Sequence, residues 1–153
     1  ANVTANIKGS LPTVDKKVQV NGEDKDTADA KIGDTLTFTL TSTIPDMSAY
    51  DTYTFNFKDT LSKGLTFEQV KSVKVEDKTL SVNTDYTVTT PTASNNNTLT
   101  VAMKDFKTKQ QVNAGKEWIK VKLSNISMFR DPGKEELVIV TFEQDYKSNN
   151  LNN

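Results

Sequence analysis

The stretch 35–43 reads TLTFTLTST, and its alternation decides the fold. Successive side chains of a strand point to opposite faces, so Leu36, Phe38 and Leu40 share one face while Thr35, Thr37, Thr39 and Thr41 share the other. The apolar positions recur every second residue, and β-branched threonines suit a pleated, half-buried surface. Working outward, Thr- and Val-rich segments of strand length lie at 14–20, 34–43, 52–59, 65–75, 85–90, 98–103, 117–123 and 136–142, separated by turn residues. Long helical periodicity is absent. So many short strands at this spacing predict an all-β sandwich.

The connections are read from their turn chemistry. NGEDKDTADAKIGD (Asn21 to Asp34) reads as a polar, turn-rich loop, and Pro45-Asp46 opens a connection whose Met47, Ala49 and Tyr50 predict a short helical turn. TASNNNT, around Asn95 to Asn97, reads as a hairpin tip. Residues 1–12, with Gly9-Ser10 and Pro12, read as an interdomain linker, 13–143 as the sandwich with 116–153 atypical, and 144–153 as a polar tail. Leu137, Ile139 and Thr141 alternate with Val138, Val140 and Phe142; both faces are largely apolar, which predicts a central buried strand.

Composition narrows the function. A chain of 153 residues with formal charge −1 predicts one domain and gives no reason to expect nucleic acid or an anionic membrane as partner. With no Cys and no His, thiol catalysis, His-based triads and the usual zinc sites are excluded. No segment approaches the roughly 20 apolar residues of a membrane span, and the first residues lack a signal-peptide pattern. Asp24, Asp26 and Asp29 lack the spacing and closing Glu of a calcium loop, so neither metal nor cofactor is expected. The glycosylation-like triplets at Asn2, Asn96 and Asn125 are too short to carry weight. No nucleophile–base or catalytic carboxylate pair is legible from spacing, which predicts no enzyme with turnover.

Two charges break the alternation. Lys16 shares its strand face with Val14, Val18 and Val20, and Asp59 shares its face with Phe55 and Phe57, so both point where apolar residues point. A dry, lone charge costs several kcal/mol or more, so each needs a partner. The residues alone allow a structural ion pair or a reactive site. Lys17, one position on, faces solvent.

From about Leu11 to Gly115 the chain resembles the second domain of the backbone pilins of Gram-positive bacteria. The elements that carry the likeness, in order, are PTVDKKV, IGDTLTFTLTSTIPD, FKDTLSKGLTF, NTDYTV, LTVAMKDF and VNAGKE. The resemblance implies a collagen-adhesin A-type, immunoglobulin-like β-sandwich on an extracellular, cell-wall-anchored shaft, with other pilin subunits or adjacent domains as partners. It also implies an autocatalytic isopeptide bond between a first-strand Lys and a last-strand Asn, assisted by a buried Asp. Lys16 then resembles the nucleophile and Asp59 the acid that polarises the carboxamide and moves protons as ammonia leaves. Prepositioning in the fold, with effective molarities of roughly 10^5 M or more, lets an inert amide react once.

The resemblance stops after Gly115. Where the family continues to a strand carrying the reactive Asn, this chain reads WIKVKLSNISMFRDPGKEELVIVTFEQDYKSNNLNN, so the sandwich is expected to lack or substitute its last strand. No acceptor is assigned among Asn149, Asn150, Asn152 and Asn153. Ile126 to Asn153 resembles instead part of the nuclear-transport-factor-2-like domain that accompanies some bacterial L,D-transpeptidases, through its FRDP and FEQDYKSNN strings. Two alternatives to the shaft reading follow. One is an adhesin module holding a host matrix protein through Tyr50, Tyr53 or Trp118; the other is a chimera carrying a peptidoglycan-enzyme accessory segment.

Overall fold

The computed structural model describes residues 14–128 and the strand backbones at 136–139 and 143–151. The linker expected over 1–12 lies outside these residues. Twelve strands are assigned: β1 (Val14–Val20), β2 (Glu23–Lys25), β3 (Thr27–Ala30), β4 (Thr35–Thr43), β5 (Tyr50–Thr60), β6 (Leu65–Val75), β7 (Lys78–Thr79), β8 (Tyr86–Thr89), β9 (Thr98–Met103), β10 (Trp118–Ser127), β11 (Glu136–Ile139) and β12 (Glu143–Leu151). A short α-helix, α1 (Phe106–Gln110), follows β9.

The strands form an all-β sandwich of two antiparallel sheets, ordered β2-β1-β4-β10-β6-β7 and β12-β5-β9-β8, beside a two-stranded β3-β11 sheet. Alternation builds the core directly. Val18, Phe38, Leu40, Val73, Ile119, Val121 and Leu123 of the larger sheet are all fully buried, as are Phe55, Phe57 and Val101 of the smaller. Each such side chain contributes about 1.5–3 kcal/mol by leaving water. Phe106, on α1, is buried and stacks on Phe55 with ring centroids 4.5 Å apart. The sequence pattern gives no sign of that helix, because five residues carry too little periodicity to register.

Several expectations are corrected at the connections. Asn21–Asp34 is not only loop: Asn21 (φ 53°) and Gly22 (φ 82°) make a left-handed two-residue turn joining β1 to β2, with Val20 opposite Glu23, and β3 follows. Asn-Gly favours this hairpin turn because its twist matches that of the strands. The 44–49 connection ends in a turn rather than a helical turn; Asp46 accepts from the Ser48 N–H at 3.0 Å, and Gln111 accepts from the Met47 N–H at 2.6 Å. The hairpin tip is present between β8 and β9, as a 3₁₀ turn over Ala93–Asn95 followed by left-handed Asn96 and Asn97.

At the C-terminal end, the strand carrying Leu137 and Ile139 is not central among the described residues, where β11 pairs with β3 alone in a two-stranded sheet. The polar stretch read as a tail contributes β12, the edge strand of the smaller sheet, paired antiparallel to β5. Residues 140–142 of the expected strand lie outside the described residues.

Candidate functional site

Lys16 and Asp59 reach the same point from different sheets. β1 presents Lys16 between Val14 and Val18 on its inner face, in register with Leu40 of β4. β5 presents Asp59 after Phe55 and Phe57, in register with Leu99 of β9. The Lys16 Nζ donates to Asp59 Oδ1 at 2.7 Å, and the two side chains are 7% and 1% exposed. The ammonium also sits 4.9 Å from the Phe38 ring centre, a distance at which a cation is attracted to the ring face.

The electrostatics are set by dryness. Burial disfavours the Asp59 carboxylate and pushes its pKa above the ordinary value; the Lys16 charge and hydrogen bond oppose that shift without cancelling it. Asp59 Oδ2 is buried and has no hydrogen-bond partner among the described residues. The acid thus combines an elevated proton affinity with an uncommitted oxygen beside an amine, an arrangement able to hold and pass a proton.

The asparagines of β12 and the buried Asn125 do not come within reach of the pair. β12 pairs Asn149 with Thr52, seven positions along β5 from Asp59, which is about 23 Å at strand rise. Asn150 lies one residue beyond, and Asn152 and Asn153 fall outside the described residues. Asn125 is a buried asparagine that the sequence pattern does not single out, fully enclosed on β10. Val121 shares Leu40 as register partner with Lys16, so Asn125 lies four positions along and two strands across. That separates the backbones by about 16 Å, beyond the combined reach of the two side chains. Neither amide atom of Asn125 has a partner among the described residues. Its inward parity with Leu123 is legible, but a short polar residue near a strand end also reads as a boundary.

The other expected residues separate. Lys17 points outward, bonded to Asp26 and 3.5 Å from Asp15. Among the described residues no three carboxylates, histidines or cysteines converge to hold a metal. Tyr53 is buried and packs edge-on against half-buried Tyr50 at 5.7 Å, whereas Trp118 is 47% exposed.

Comparison with known proteins places the fold. The chain is similar to a 35 kDa C-terminal fragment of the major pilin GBS80 of Streptococcus agalactiae (TM-score 0.63, 20% identity, 92% of this chain and 56% of that one). It is similar also to the full-length major pilin SpaD of Corynebacterium diphtheriae (TM-score 0.60, 24% identity, 97% and 37%) and to BcpA, the major pilin subunit of Bacillus cereus (TM-score 0.62, 18% identity, 95% and 42%). The chain spans 37% to 56% of the length of these proteins. At such identities the likeness is one of fold: two antiparallel sheets in the immunoglobulin-like sandwich of major pilin domains. Residues 93–153 match a family model described as the Cds6 C-terminal NTF2-like domain. Within that match, β9 and β10 are built into the two different sheets of the sandwich. No curated protein matches the chain.

Proposed function

We propose that the chain is a load-bearing shaft module of a Gram-positive cell-surface pilus, carried outside the cell and packed against other pilin subunits or neighbouring domains of its own protein, with no catalytic turnover. The observation that carries this reading is the buried Lys16–Asp59 contact at 2.7 Å between the two sheets of a pilin-type sandwich. In the family that the sequence resembles, such a pair makes the bond that stops a shaft domain from extending under force. Here Asn125 and the β12 asparagines sit too far away, and in this reading the site acts in its unreacted form, as an ion pair clamping sheet to sheet. In a low-dielectric site such a pair is strong once formed, and losing Lys16 leaves the buried Asp59 carboxylate without its bonded lysine.

The adhesin reading loses its contiguous aromatic patch, since Tyr53 is buried and Tyr50 packs against it. The accessory-segment reading rests on the 93–153 match alone. The test of the shaft reading is single-molecule pulling on a tandem array. The expected result is cooperative unfolding at high force that releases the contour length of the whole sandwich, with the force lowered by Lys16→Ala and by Asp59→Ala. Unfolding at an unchanged force in both variants would overturn it.

A further inference from the structure

The lysines are interleaved with acids in the sequence, but the fold sorts them. On the outer face of the larger sheet, β10 presents Trp118, Lys120 and Lys122 in alternate positions, each exposed. Register sets Lys120 directly opposite Lys74 of β6, with Thr41 on its other side; Lys122 lies between Thr39 and Ser72. Lys71 reaches across the same face, its Nζ 3.5 Å from the Thr37 hydroxyl. None of the four lysines makes an ion pair among the described residues. The acids near this face are already engaged: Glu68 accepts from the Ser124 hydroxyl at 2.6 Å, Asp15 lies 3.5 Å from Lys17, and Glu76 accepts from the Trp118 N–H at 3.3 Å.

Three features of this face ask for a ligand. Like charges set directly opposite one another on a sheet destabilise it, and Lys120 with Lys74 are about 5 Å apart at the backbone. The Thr39 hydroxyl, on the same face, is 7% exposed and has no hydrogen-bond partner among the described residues. Trp118, at the end of the lysine row, presents a flat apolar plate 47% open to solvent.

We infer that this face binds a sulfated polysaccharide, a sugar ring lying on Trp118 and its sulfates on Lys120, Lys122, Lys74 and Lys71. A ring needs a plate, which the tryptophan supplies. Lys120 with its backbone about 5 Å from that of Lys74 and about 7 Å from that of Lys122 gives a charge spacing that matches a polymer sulfated at several positions per repeat better than one carrying a single carboxylate per disaccharide. A single aromatic does not make the run of stacking platforms that single-stranded nucleic acid uses. The threonine and serine hydroxyls flanking the row complement sugar hydroxyls. This surface lies outside the core and is independent of the shaft reading.

The test is binding of the chain to heparin, with single-stranded DNA and neutral dextran as comparison polymers. Wild type is expected to hold heparin with a log–log salt slope near 3, taking roughly 0.7 per neutralised charge for a flexible polyanion. Replacing Lys71, Lys74, Lys120 and Lys122 by Gln should lower affinity at least about tenfold at low salt and flatten the slope. The four Lys→Arg changes should preserve binding, and Trp118→Ala should weaken it several-fold at unchanged slope. A control with Lys25, Lys63, Lys104 and Lys116 changed to Gln should bind as wild type. Equal loss in that control, wild-type affinity in the Lys71/Lys74/Lys120/Lys122 variant with its circular dichroism intact, or DNA held as tightly as heparin would each overturn the inference.

Discussion

Lys16 and Asp59 are 43 residues apart in the chain and 2.7 Å apart in space, one on each sheet of the sandwich. The contact ties the first strand to the middle of the opposite sheet, and its energetics follow from its dryness rather than from its charge alone.

Removing one partner should cost more than removing both. Asp59→Ala leaves the Lys16 ammonium 7% exposed with its carboxylate gone, and is expected to lower stability by about 3–5 kcal/mol. The double change Lys16→Met, Asp59→Leu should recover most of that loss. Urea unfolding of Lys16→Met, Asp59→Leu and the double variant measures it, and additive losses would mean that the two residues do not act as a pair.

The pH dependence has a definite sign. Asp59 carries a raised pKa in the folded state, chiefly through burial, so folded protein binds more protons than unfolded protein above the ordinary carboxylate range. Its contribution is complete below the unfolded pKa and is lost as pH rises through the folded one. Asp85 runs the other way: the Ser81 N–H and Lys109 lower its pKa, so its stabilisation fades as pH falls. Comparing denaturant midpoints of wild type and Asp59→Asn across this range isolates the first effect. Wild type should lose stability relative to Asp59→Asn as pH rises, and a constant difference would count against a dry Asp59.

Asn125 should be improvable. Its buried amide lacks a partner at both atoms among the described residues. An apolar side chain of similar shape removes a desolvation penalty of about 1–3 kcal/mol. Asn125→Leu is therefore expected to raise the melting temperature; a clear fall would reveal hydrogen bonds to the amide beyond the described residues.

The Asn21-Gly22 turn gives a smaller effect. Gly22 has φ +82° and open space for 4 Å around the point where a Cβ would stand, so Gly22→Ala meets no clash and incurs only the left-handed backbone cost. A loss of about 1 kcal/mol is expected by chemical denaturation.

Much of this architecture is legible in the sequence because period-two alternation is strong. Phe38, Leu40, Phe55 and Phe57 sit where parity puts them, and the same parity points Lys16 and Asp59 inward. Their proximity is not legible, since parity gives a face whereas distance needs the pairing of strands far apart in sequence. The short β2 and β3 strands hide in a polar segment where an Asn-Gly pair outweighs hydrophobicity as a signal. β12 escapes sequence patterning because an edge strand in a polar run carries little apolar alternation. The lysine face escapes it too, because interleaved charges separate only once β6 and β10 are placed side by side.

The central claim, that the Lys16–Asp59 site is in its unreacted ion-pair form, is tested most directly by the intact mass of the denatured chain beside a Lys16→Ala control. Isopeptide formation joins the lysine nitrogen to a carboxamide carbon and expels one ammonia, lowering the mass by about 17 Da. The account predicts the full mass of the sequence in both proteins. A deficit of one ammonia that disappears in the Lys16→Ala control would contradict it and place an acceptor within reach of Lys16.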